Sequence, residues 1–356
     1  MNSLDNKIQE CSRCVLRTVD DPETILSSDE LCNHCHNFDE QEKQRKLEKT
    51  NLPWVIYNIK KSGRNKQYDC LVGLSGGVDS STALHYAVQQ GLRPLCFSMD
   101  NGFNTVASDE NIMRLIETLK VPFYRYVIDL KKFRELYRSF IKGGIKNLEA
   151  TYDHILSAVT YELASKHKIK YVITGGNITT EGIMPISFGE DARDLRWIKS
   201  VYKQTTGKRL SGLPLLPLWK EQYYRLVKQI KFIPILDFYE YNRNQAKQLL
   251  KEKYSWIDYG AKHEENRLTQ WFQNWYLPKK FGLDKRRPHL SSLINSKQIT
   301  KEQALKELSE PFHRVFIDDF DDFMRYAKKS YNDYPNSYTI RQLVMKTYRF
   351  IPKKWK

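Results

Sequence analysis

The residues best suited to chemistry lie in one serine- and glycine-rich turn, Leu74-Ser75-Gly76-Gly77-Val78-Asp79-Ser80-Ser81. Paired glycines at a strand-to-helix turn let backbone N–H groups converge into an anion nest at the positive end of a helix. Ser75, Ser80 and Ser81 add hydroxyl donors, and Asp79 can hold a magnesium ion. A Walker A loop would end in Gly-Lys-Ser/Thr, and no lysine occurs here. The ordinary alternative is a Gly-rich turn with no ligand. Its flanks favour the nest. Tyr68–Leu74 reads as a buried parallel strand, and Thr82–Gln90 as a helix closed by Gly91.

A second constellation lies near the start. Cys11-Ser12-Arg13-Cys14 and Cys32-Asn33-His34-Cys35 are two C-x2-C knuckles separated by 17 residues, the spacing of a four-cysteine zinc ribbon. Disulfides are the alternative, which a reducing compartment disfavours. Cys70 and Cys96 fall inside predicted strands and read as buried small hydrophobes. His34 and His36 sit beside a knuckle and could replace a ligand, though four thiolates already complete the shell.

These residues need a frame, and a chain of 356 residues can bury an ample core. Hydrophobic content of 40% and charged content of 28% describe a soluble globular protein. No apolar run reaches the ~18 residues of a membrane span, and Met1–Lys7 lacks the apolar core of a signal peptide, so a cytoplasmic protein is expected. The formal charge of +16 suits RNA, a nucleotide-linked or acidic sugar, or an acidic protein, without choosing among them.

The pattern divides the chain into a ribbon (residues 1–45), a strand–helix alternation (52–235) and a mostly helical remainder (236–356), with Asp39–Lys46 as a charged linker. The alternation predicts a doubly wound parallel α/β sheet. Its further strands are Arg93–Asp100, Val121–Ile128 and Tyr171–Thr174. Ser108 reads as the N-cap of a helix through Lys120, and a helix from Tyr152 to Lys166 turns Ile155, Val159 and Leu163 inward. Ligands of such sheets bind beyond the carboxyl ends of the strands, here the loops 75–81, 99–102 and 175–181. In the C-terminal region, Lys279–His289 packs cations densely enough for a phosphate or carboxylate site, although a solvated basic face is the usual reading of such a run. Thr300 and Gln303 form a capping box for the helix beyond it.

The Ser-Gly-Gly-Val-Asp-Ser order resembles the pyrophosphate loop (PP-loop) of ATP pyrophosphatases, whose fold is that of the adenine nucleotide alpha hydrolases. Those enzymes split ATP between its α and β phosphates and place AMP on a substrate oxygen. The resemblance implies ATP and Mg2+ bound by Ser75, Gly76, Gly77, Val78, Asp79, Ser80 and Ser81, with adenine read by backbone near Met99. The loop at Gly175 then closes over the nucleotide, with Asn177 as a donor and Glu181 as a second magnesium ligand. Taken alone, Gly175-Gly176-Asn177 is equally a plain turn.

The ribbon, this loop and Lys-Phe-Gly-Leu-Asp-Lys-Arg-Arg-Pro-His (280–289) together resemble the N-acetyl sugar amidotransferases of bacterial lipopolysaccharide O-antigen and nonulosonic (pseudaminic or legionaminic) acid synthesis, from Cys11 to about Pro311. The family implies structural Zn2+ on Cys11, Cys14, Cys32 and Cys35, and a sugar or its phosphate on Lys280, Lys285, Arg286, Arg287 and His289. Asp79 and Glu181 would act at the reacting phosphate. The implied reaction turns an acetamido group into an acetamidino group by adenylating the amide oxygen and displacing AMP with ammonia. No glutaminase signature is present, so the resemblance implies a separate glutaminase of the histidine-biosynthesis type, with or without a barrel-shaped cyclase-like protein. Neither membrane nor nucleic acid is expected as a partner. Two other readings stay open. A tRNA thiolase shares the loop but needs active-site cysteines, and only Cys70 and Cys96 remain for that. A zinc-ribbon RNA-binding protein on an inactive nucleotide fold would show no ATP turnover.

Overall fold

The structure, a computed structural model, describes residues 8–349 except 261, 263 and 314. Five strands form one parallel sheet in the order β3-β2-β1-β4-β5: β1 Cys70–Gly73, β2 Pro94–Asp100, β3 Phe123–Val127, β4 Tyr171–Thr174 and β5 Lys231–Pro234. The chain first builds outward from β1 to β3, then returns to the other side of β1. That reversal opens a crevice at the carboxyl ends of β1 and β4, where sheets of this kind place their ligands.

Both faces of the sheet are covered at its centre, so β1 and most of β2 are buried and apolar, whereas the edge strands β3 and β5 carry Arg125 and Lys231 and are only half-buried. Residues alternate faces along a strand. Leu71 enters the core built on the helices Leu130–Lys142, Ala150–Lys166 and Leu195–Thr206. Cys70 and Val72 enter the opposite core, under Val78–Gln89, Val106–Leu119 and Arg243–Tyr254. Cys70 and Cys96 are fully buried, as their positions in strands require. Burial pushes the Cys96 thiol up to about 12 and Cys70 well above the usual thiol value, which leaves both inert at neutral pH.

The structure corrects two local expectations. Asp39–Lys46 is not a linker but the middle of a helix, Asn33–Lys49. Two buried contacts hold that helix down. Phe38 packs in the ribbon core with Ile183, and Arg45 donates to the carbonyls of Asp237 and Tyr239 at 3.2 and 2.9 Å. The helix after β2 begins earlier than expected, at Val106, because Thr105 rather than Ser108 caps it, accepting from the Ser108 N–H. The helix Arg243–Tyr254, beyond the last strand, buries Ala246, Leu250 and Tyr254 on the sheet. No described helix is long and apolar enough to cross a membrane.

Candidate active site and four-cysteine centre

The loop after β1 is built for close approach. Gly76 adopts φ +75°, and a Cβ there would stand 2.2 Å from the Ser108 carbonyl oxygen. Only glycine meets both conditions. Gly77 caps the helix Val78–Gln89, so Val78 and Asp79 form its first turn. The Ser75 and Ser80 hydroxyls lie 3.1 Å apart, and the Gly77 N–H donates to Ser75 Oγ at 3.2 Å. Ser81 is buried and lines none of the cavities described below. The loop after β4 packs against this turn, leaving no room for a side chain at Gly175, where a Cβ would meet the Asp79 backbone at 2.7 Å.

Asp79 and Glu181 converge, and a lysine lies between them. Lys262 Nζ is 3.2 Å from Asp79 Oδ2, 2.9 Å from Glu181 Oε1 and 3.0 Å from Thr180 Oγ1. Tyr241 donates its phenol proton to Asp79. Burial, followed by the Asp79 charge, holds that phenol well above its usual pKa, so it stays a donor. Burial pulls Lys262 down, but Asp79 and Glu181 outweigh it and hold the ammonium above the usual lysine value. Asp79 and Glu181, both in contact with that ammonium, are the carboxylates that could hold a Mg2+ ion here.

Three adjoining cavities surround this point. The smallest, about 200 Å3, lies on the loop after β1 and is lined by Ser75, Gly77, Asp79, Arg243, Lys262 and Glu265 among others. The largest, about 680 Å3, runs from Ser75 and Ser80 past Met99 to Asp153, Lys285 and His289. A third, about 360 Å3, shares Lys285 and His289 with the largest and Arg243 and Lys262 with the smallest. Met99 lines the large cavity, but its carbonyl already accepts from the Tyr152 hydroxyl at 3.1 Å. Asn177 does not line any of the three. Its Oδ1 caps the helix Ile178–Glu181, accepting from the Thr180 N–H at 2.9 Å, and its amide donates to the Gly175 carbonyl.

The basic stretch separates into two groups. Lys285 and His289 face the large cavity, Lys285 paired with Glu149 at 3.1 Å. Burial, with Lys262 and Lys285 nearby, holds His289 neutral. Arg286 borders the 360 Å3 cavity but is bound to Asp284 at 2.8 Å and to the carbonyls of Glu307 and Glu310. Lys280 and Arg287 lie outside the cavities. Lys280 donates to the carbonyls of Phe323 and Tyr326, both at 2.7 Å, and Arg287 to Val15 at 2.7 Å.

Sequence reasoning missed four cavity residues. Arg243, at the first turn of its helix, has no carboxylate partner among the described residues. Glu265 lies between the nest and the large cavity, and burial raises its carboxyl to about 7. Asp153 opens onto the large cavity, where desolvation and then Glu149 raise it to about 7 against the pull of Lys285. Lys262 is the fourth. None carries a motif: each reaches the site from a segment whose own pattern is unremarkable.

The four cysteine sulfurs lie within 4.8 Å of one another, fully buried. Cys11 and Cys35 are 3.8 Å apart, as are Cys14 and Cys32. These are not disulfide distances. They match the edge of a tetrahedron with a metal about 2.3 Å from each thiolate, the Zn–S bond length. The donor set therefore fits a closed structural zinc site.

Residues 265–356 match the family model of the C-terminal domain of LPS biosynthesis protein WbpG-like proteins. No curated protein matches the chain. Among solved structures it is similar to the NMN synthetase of Francisella tularensis (17% identity, 80% of this chain and 91% of that one, TM-score 0.33). A similar likeness is found to the NH3-dependent NAD synthetase of Campylobacter jejuni (15%, 79% and 99%, 0.30). The U34-tRNA thiolase NcsA of Methanococcus maripaludis also matches (13%, 91% and 98%, 0.29). At these scores none of the three decides a function. The chain thus joins a parallel five-stranded α/β sheet, with the Ser-Gly-Gly-Val-Asp-Ser loop at its crevice, and a four-cysteine centre to a C-terminal region matching the WbpG-like LPS-biosynthesis family model.

Proposed function

We propose that this protein is an ATP-dependent amidotransferase that converts an acetamido group of a bacterial surface sugar to an acetamidino group. One observation carries the reading. Lys285 and His289, from the WbpG-like region, line the same cavity as Ser75 and Ser80 of the pyrophosphate loop. A sugar bound by the first pair would meet ATP bound by the second.

The chemistry follows from the substrate's weakness. An amide carbonyl is a poor electrophile, and its oxygen is a poor leaving group. Attack of that oxygen on the α phosphorus forms the O–P bond and expels pyrophosphate. Ammonia then adds to the imidate carbon, AMP departs with the oxygen, and the amidine keeps the extra proton. The nest N–H groups, the Ser75 and Ser80 hydroxyls, Lys262 and Arg243 are placed to receive the charge developing on pyrophosphate. Each well-placed donor of this kind is worth ~3 kcal/mol. Magnesium held by Asp79 and Glu181 would neutralise further phosphate charge. Asp153, on the cavity wall with its carboxyl raised to about 7, can take a proton from the nitrogen once ammonia has added to the imidate carbon.

None of the six cysteines lines the three cavities. That favours this reading over sulfur transfer to tRNA. The ammonia source is proposed to be a separate glutaminase, and the substrate a nucleotide-linked or acidic sugar. The test is mass spectrometry of candidate N-acetyl sugars incubated with the protein, ATP, magnesium and ammonium. Exchange of oxygen for NH in the sugar, with AMP and pyrophosphate released, is the expected result. ATP turnover driven only by tRNA would refute it.

A further inference from the structure

The four-thiolate centre and the cavity wall share one helix, Arg286–Asn295. At its end, Asn295 uses both amide hydrogens and its carbonyl oxygen. One amide hydrogen goes to Cys35 Sγ at 3.3 Å and the other to the Ser291 carbonyl at 2.8 Å. Its own carbonyl accepts from Arg13 at 3.1 Å, and Arg13 is held by Asp39 at 2.8 Å. Two bonds tie the same helix to the first knuckle: the Val15 N–H donates to Ser291 Oγ at 3.4 Å, and Arg287 donates to the Val15 carbonyl at 2.7 Å. Lys301, just beyond, donates to the Cys11 carbonyl at 2.7 Å.

The helix also touches the site. His289 lines the large cavity, with Lys285 immediately before the helix. Ser292 Oγ accepts from the Ile183 N–H at 2.9 Å, and Ser296 Oγ donates to the Thr179 carbonyl at 3.0 Å. Those bonds fix the segment that presents Thr180 and Glu181 to Lys262. Phe38, from the helix that begins at the second knuckle, packs so closely on Gly182 that a Cβ there would meet its ring at 2.9 Å.

We propose that Asn295 is a positioning residue: through its bond to Cys35, the metal-filled centre sets the place of the helix Arg286–Asn295, and with it Lys285, His289 and Glu181. A four-thiolate zinc centre carries two net negative charges, and N–H donors to its sulfurs disperse that charge. Asparagine supplies such a donor and ties it to the helix backbone. Aspartate has the same shape but no donor, and adds a third negative charge beside the thiolates.

The test uses the full chain loaded with zinc or with cobalt(II). Asn295→Ala and Asn295→Asp should weaken zinc about 10- to 100-fold in competition with a chromophoric chelator, the usual effect of losing an outer-shell partner. Both should move the thiolate-to-cobalt charge-transfer band, which a purely packing role would leave in place. Glu302→Ala, on an exposed turn of the next helix, is the control. Amide exchange supplies a comparison that needs no variant. Stripping zinc from the wild-type chain should speed exchange at 178–183 and 285–295 while 130–142 stays protected. Unchanged exchange at 178–183 and 285–295 on metal removal would overturn the proposal. So would unchanged zinc affinity in both Asn295 variants, or general loss of protection including 130–142. No readout involves the sugar or ATP, so the result is independent of the proposed reaction.

Discussion

Lys262 lies 183 positions along the chain from Asp79, yet its ammonium stands 3.2 Å from the Asp79 carboxylate. The first turn of the loop helix and a segment entering the WbpG-like region thus meet at one ion pair. Lys262→Met should slow pyrophosphate release about 10- to 150-fold, the equivalent of one charge-assisted contact of ~1.5–3 kcal/mol. Asp79→Asn should abolish AMP and pyrophosphate formation and also lower the unfolding temperature, because the buried Lys262 ammonium then keeps only Glu181 as a carboxylate partner. ADP and phosphate as products would refute the proposed pyrophosphate-forming chemistry.

The basic stretch should divide under mutation as it divides in space. Lys285→Ala and His289→Ala should raise KM for the sugar or lower kcat. Lys280→Ala and Arg287→Ala should instead lower stability by roughly 1–3 kcal/mol, because Lys280 satisfies the carbonyls of Phe323 and Tyr326 and Arg287 satisfies that of Val15 beside the buried Asp20 carboxylate. Parallel urea melts and steady-state kinetics on the four variants separate these effects. Equal, negligible kinetic effects of Lys285 and His289 would place the sugar elsewhere.

Elemental analysis should find about one zinc per chain, the content of a single four-thiolate site. Cys11→Ser or Cys32→Ser should release it and lower the unfolding temperature, since metal binding and folding of the ribbon are linked. A stable, fully active, metal-free protein would refute a structural metal.

The Asp153 carboxyl titrates near 7 in the folded chain against 3.8 for the ordinary group. The folded state therefore holds a proton that the unfolded state has lost between those values, and this group's contribution to stability falls as pH rises through that window. Asp153→Asn should raise the unfolding temperature near pH ~8 and change it little near pH ~4. At a fixed concentration of free NH3 the rate should climb through about pH 7 in the wild type, and Asp153→Asn should remove that climb. An unaltered pH–rate profile would exclude Asp153 as the base.

Ammonia supply gives a further test. With glutamine alone the purified chain should be inactive, and ammonium at alkaline pH should restore turnover. Activity with glutamine and no second protein would refute an external glutaminase.

The motifs were legible because their chemistry is local. Cys11, Cys14, Cys32 and Cys35 sit in two short knuckles, and the nest of Ser75–Ser81 needs only consecutive backbone N–H groups with glycine at Gly76. The strands were legible because burial on both sheet faces leaves continuous apolar runs such as Cys70–Gly73. Tertiary structure alone decided which charges meet. Lys280 and Lys285 are the same residue type five positions apart, yet one ties down carbonyls and the other faces the cavity. Asp39–Lys46 looked like a linker because its residues are charged, and became a helix because Phe38 and Arg45 are buried by distant segments. A side chain's charge is written in the sequence, but its work depends on which way its element faces and on what packs against it.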